Sequence, residues 1–68
     1  MTLSARNQLK GTVKEVTTGV ITAKVVIDIG GGNEIVAVVT KDAVEDLGLK
    51  PGSAATAVIK ATEVLIMT

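Results

Sequence analysis

Aliphatic runs in this chain are short, and each is cut by glycine, proline or polar residues; the longest uninterrupted one, Ile35 to Val39, has five residues. That length suits a strand and falls far below the roughly 20 residues that a membrane helix needs. The pieces are rich in Val, Ile and Thr, and their spacing favours a small barrel of strands over a helical bundle.

The first strand is predicted over Asn7 to Val16, with Thr17-Thr18-Gly19 turning into a second over Val20 to Ile29. Gly30-Gly31-Gly32-Asn33 reads as a hairpin loop; it has neither the spacing of a dinucleotide fingerprint nor the lysine of a P-loop. A third strand spans Glu34 to Thr40. Lys41 to Gly48 reads as one short helix, because Thr40 can cap its start, acids populate its first turns and Gly48 can end it. Its Ala43, Val44 and Leu47 are expected to plug the barrel. Lys50-Pro51-Gly52 is a turn, followed by a strand from Ala54 to Lys60, a turn at Ala61-Thr62 and a fifth strand from Val64 to Met67. The fold class expected is therefore all-β, an OB-like five-stranded barrel with one short helix, and residues 1–68 read as a single domain.

At 68 residues, one hydrophobic core supplies only a few kcal/mol. Disulfide and zinc staples look unavailable, because the chain has no cysteine and no histidine. With 47% hydrophobic residues and no aromatic one, Val25 to Ile27 and Val36 to Val39 are apolar on both faces. Association with other copies is the stabiliser that this leaves.

Seven basic and seven acidic residues cancel, so no broad positive field draws in nucleic acid or anionic lipid, and an anion site has to be local. Single-strand binding on an OB-like fold leans on stacking aromatics and a basic groove, and this chain has neither. Catalysis is also hard to build: His, Cys and Tyr are absent, no carboxylates pair, and no hydroxyl has a base beside it. No catalytic residue and no metal-ligating set is assigned. Asp42, Glu45 and Asp46 occupy a helix start and its wet face, where acids favour the dipole.

The opening Leu3-Ser4-Ala5-Arg6-Asn7-Gln8-Leu9-Lys10-Gly11 contains the only arginine. In an extended segment Ser4 and Arg6 share one face, with Ala5 and Asn7 on the other. Val58-Ile59-Lys60-Ala61-Thr62 repeats the grouping of cation and hydroxyl, and Thr40 closes a third strand. On spacing alone the plainer reading is favoured, in which Arg6 and Lys60 are solvated charges at strand ends.

Four stretches together closely resemble the molbindin, or Mop, family of small molybdate-binding proteins. They are Ser-Ala-Arg-Asn-Gln-Leu-Lys-Gly at 4–11, Ala-Val-Val-Thr-Lys-Asp at 37–42, Leu-Gly-Leu-Lys-Pro-Gly at 47–52 and Val-Ile-Lys-Ala-Thr-Glu-Val at 58–64. The resemblance spans essentially the whole chain. It implies an OB-like barrel, assembly into a homohexamer, and molybdate or tungstate held between subunits. By resemblance the ligand contacts fall on Ser4, Arg6, Thr40, Lys60 and Ala61, the last through its backbone amide. The donor chemistry fits, since a tetrahedral dianion offers four acceptor oxygens and calls for donors without nearby carboxylates.

The N-terminus lacks an apolar stretch of signal-peptide length, so a cytoplasmic location is expected. A motif that begins almost at Met1 and a chain that ends soon after the last strand imply a free-standing copy, used in molybdenum storage or homeostasis. The alternative is a structural or regulatory interaction module of OB-like fold with no anion ligand.

Overall fold

The computed structural model describes residues 5–68. Its elements are β1 (Asn7–Thr18), β2 (Thr22–Gly30), β3 (Asn33–Thr40), α1 (Lys41–Leu47), β4 (Ala54–Ile59) and a 3₁₀ turn at Ala61–Glu63. The strands form one antiparallel sheet in the order β3-β2-β1-β4.

β1 is long because it serves two partners in succession. Its first half, Asn7 to Thr12, pairs with β4, and its second half, Thr12 to Thr18, pairs with β2. The handover falls beside Gly11, where a Cβ would stand 2.3 Å from the Asp28 carbonyl oxygen and 2.8 Å from Ile27 Cγ2. Only glycine permits that approach. Just beyond, the register shifts by a bulge between Val13 and Glu15, a device that bends and twists a strand. The Lys50-Pro51-Gly52 turn clamps the bend: Val13 N–H donates to Ser53 O and Gly52 N–H to Val13 O, both at 2.8 Å.

The sheet curls around a core of Val13, Ala23, Val25, Ile27, Val44 and Ala57. Val44 comes from α1, whose start is capped as the sequence suggests: Thr40 Oγ1 accepts the Ala43 N–H at 3.0 Å. Gly48 ends the helix in the left-handed region at φ 64°. The β2–β3 hairpin turns through Gly30, Gly31 and Gly32, all with positive φ, and Asp28 Oδ1 accepts the Gly30 N–H at 2.8 Å. No helix among the described residues is long and apolar enough to cross a membrane.

Several expectations need correction. Among the described residues the sheet has four strands, not five. Val64 to Met67 is extended at its first residue, but it has no strand partner, and Leu65 and Met67 are each 94% exposed. A strand needs a neighbour for its backbone groups, and this segment finds none among the described residues. Leu47 does not plug the core; it is 71% exposed, because the helix stops at once after it and leaves it at the lip of a cleft between β3 and β4. Val20 and Ile21 lie in the exposed β1–β2 turn and not in β2, while Thr17 and Thr18 extend β1.

The steric argument at Gly11 gives a direct test. Gly11→Ala should lower stability by about 1–3 kcal/mol, the range for an overpacked interior, because the carbonyl it meets is backbone and cannot swing away. A denaturation midpoint equal to that of the parent protein would show that the handover does not depend on this contact.

Candidate functional site

Alternation along β1 turns Ala5, Asn7 and Leu9 inward and Arg6, Gln8 and Lys10 outward. On β4 the same rule turns Ala57 and Ile59 inward and Val58 outward, with exposed Lys60 following the strand. Asn7↔Ile59 is the last pair of the β1–β4 ladder, and Arg6 and Lys60 are the residues that flank it on the two chain segments. Directly opposed side chains in such a pair have Cβ atoms about 4.5–5.5 Å apart, and like charges there are unfavourable.

Among the described residues neither cation has a carboxylate at ion-pair distance, although Glu63 lies in the adjoining 3₁₀ turn. The salt bridge found among the described residues joins Lys14 to Glu34, on another part of the sheet. Beside Arg6 a groove of about 510 Å³ is lined by Gln8, Ile59, Ala61 and Val64 among others. The 3₁₀ turn that borders it is closed by Glu63 N–H donating to Lys60 O at 2.9 Å. The opening amides of such a turn, at Ala61 and Thr62, have no partner inside it. The strand end thus presents a guanidinium, an ammonium and outward amides in one place.

Thr40 is elsewhere. It pairs with Thr22, and Ala23 next to Thr22 pairs with Thr18, so Thr40 belongs to the end of the sheet remote from Asn7 and Ile59. Its hydroxyl oxygen already accepts the Ala43 N–H, which leaves the hydroxyl proton free to donate. Within one chain, then, Arg6, Lys60 and Ala61 come together and Thr40 does not join them. Ser4 lies outside the described residues. Gln8, which the sequence reading passed over, shares the outward face with Arg6; the two-residue alternation from Arg6 was the signal that pointed to it.

A curled antiparallel sheet, plugged by one short helix and carrying a cationic strand end, defines a small OB-like domain. A TOBE domain model matches residues 3–66. Over 67 residues the chain is 55% identical to molybdenum-pterin-binding protein 1 of Clostridium pasteurianum, with 98% of each covered. It superposes on the molybdate-binding protein of Sporomusa ovata with a TM-score of 0.93 at 47% identity, both chains covered in full. Against the cytoplasmic molybdate-binding protein ModG the TM-score is 0.86 at 57% identity, over 90% of this chain and 43% of ModG. The chain belongs to the TOBE domain family, and within it to the molbindin (Mop) proteins.

The two cations make a prediction for the anion-free protein. Lys60→Gln should raise its thermal midpoint slightly, by the equivalent of about 0.2–0.5 kcal/mol, the low end for a cross-strand pair because both groups are exposed. The gain should shrink as salt is added. A lowered midpoint at low salt would mean that Arg6 and Lys60 do not repel across the strands.

Proposed function

We propose that this chain binds molybdate, and tungstate with it, between subunits of a homo-oligomer, and that it serves molybdenum storage and homeostasis in the cytoplasm. The observation that carries this reading is that Arg6 and Lys60 flank one strand end with no carboxylate at ion-pair distance among the described residues. Two like charges held at one strand end are an unfavourable arrangement that a bound dianion turns into an attractive one. The contacts proposed are Ser4 and Arg6 from the first segment, Lys60 and the Ala61 amide from the last, and the Thr40 hydroxyl. The function is binding and not catalysis.

Sharing between copies follows from where these groups sit. Thr40 is at the other end of the sheet from Arg6 and Lys60, so a site that uses all of them takes Thr40 from a second chain. The surface supports assembly: Val36 and Val38 on β3 are 62% and 72% exposed, and the tail from Val64 to Met67 is an exposed apolar segment outside the sheet. With seven buried hydrophobic residues among those described, the protein does not leave that much aliphatic surface in water without a use for it. The number of subunits proposed, six, rests on membership of the molbindins.

The relatives' name mentions a pterin. A pterin ring is planar and heteroaromatic, and proteins hold such rings by stacking on aromatic side chains. This chain has no Phe, Tyr or Trp, which favours the oxyanion alone as ligand. Exposed aliphatic residues suit equally the second reading, an interaction module without an anion.

Calorimetric titration with molybdate, tungstate, sulfate and phosphate separates the two. Molybdate and tungstate are expected to bind and to be retained when the purified protein is analysed for both metals. Arg6→Lys should weaken molybdate by about 1.5–3 kcal/mol, because an ammonium keeps the charge but loses the planar fork. Lys50→Ala, in a turn remote from the groove, should change nothing. Absence of binding and of retained metal would leave the interaction module as the standing account.

A further inference from the structure

The outward face that carries Arg6 and Lys60 continues along β1 and β4 through Gln8, Lys10, Thr12 and Thr56. None of these is acidic, but the exposed Asp28 of β2 stands opposite Thr12 on the same face. Lys10 stands opposite Thr56 and is exposed, and among the described residues it has no carboxylate at ion-pair distance. Two alternate positions further on, Lys14 is joined to Glu34, which offsets its charge and holds its ammonium above the usual lysine range. Charge along the face therefore runs from net acidic around Lys14, Glu34 and Asp28, to one cation at Lys10, to two at Arg6 and Lys60.

The spacing decides what Lys10 can do. Four residues of strand separate it from Arg6, about 13 Å at roughly 3.3 Å per residue, too far for contact with an ion held between Arg6 and Lys60. Coulomb attraction still spans that distance at low salt, where the screening length is about 30 Å, and fades at physiological salt, where it is about 8 Å. Because the chain's net charge is zero, no general field competes with this local one.

We infer that Lys10 is a steering residue for the oxyanion, raising the rate at which the dianion reaches the Arg6–Lys60 strand end without touching it once bound. This inference rests on the binding reading above. A rim charge that acts in this way changes the association rate and its salt dependence and leaves dissociation alone.

The test is amide line-shape analysis of Ala61 and Thr62 in the intact ¹⁵N-labelled oligomer, titrated with molybdate at about 10 mM and 300 mM ionic strength. Lys10→Gln should slow association roughly two- to four-fold at the lower salt, with the dissociation rate unchanged and the difference gone at the higher salt. Lys50→Gln, which removes a cation from a turn that does not line the groove, should leave both rates at parent values. Equal association rates for Lys10→Gln and the parent at low salt would overturn the inference while leaving the binding site intact. A change confined to the dissociation rate would also overturn it, because it would make Lys10 a contact. Amides of the parent that ignore molybdate would overturn the binding reading and this inference with it.

Discussion

β1 passes from one partner to another beside Gly11, and the rest of the molecule depends on that handover. A strand that pairs with β4 over its first half and β2 over its second has to bend between them, and the missing side chain lets it lie against the Asp28 carbonyl as it does so. The bulge after Val13 and the two hydrogen bonds to the 50–53 turn hold the bend. Curling the sheet around this point puts Val13 and Val25 at the centre of the core, each 1% exposed. The same geometry pairs the first segment with β4 alone, and so brings residue 6 beside residue 60.

What was legible in the sequence was what is encoded locally. The three-glycine hairpin, the Thr40 cap, the Gly48 stop and the proline turn are each decided by a few neighbouring residues, and the structure has all of them. Val64 to Met67 was misread for the converse reason. Aliphatic and β-branched composition reports fitness for a pleated, half-buried surface, but a strand exists only where a neighbour supplies hydrogen bonds. Leu47 failed on a finer point, since helical periodicity gives the face of a residue and not whether the helix continues past it.

The site was legible to a different degree. Spacing gave the common outward direction of Arg6 and its neighbours, while only the register of β1 on β4 puts Lys60 at the same strand end as Arg6, and the family motif pointed to that pair before any register was known. Thr40 carries the opposite lesson. Its hydroxyl looks available in the sequence, yet it is already an acceptor for the helix and stands at the other end of the sheet. A ligand set drawn from two ends of one small sheet is coherent when it is completed by another copy, and the unpaired tail and exposed β3 valines are surfaces suited to such a copy.

The central claim is that a dianion relieves the repulsion of Arg6 and Lys60 and ties chains together in doing so. Subunit exchange reads this most directly, by native mass spectrometry of ¹⁵N-labelled and unlabelled protein mixed with molybdate or with sulfate at equal ionic strength. A ligand at 100 times its dissociation constant stabilises the bound assembly by about 2.7 kcal/mol per independent site. The account predicts that molybdate slows exchange and raises the thermal midpoint together, while sulfate does neither beyond ordinary screening. Equal effects of the two anions on the midpoint, with exchange unchanged by either, would contradict it.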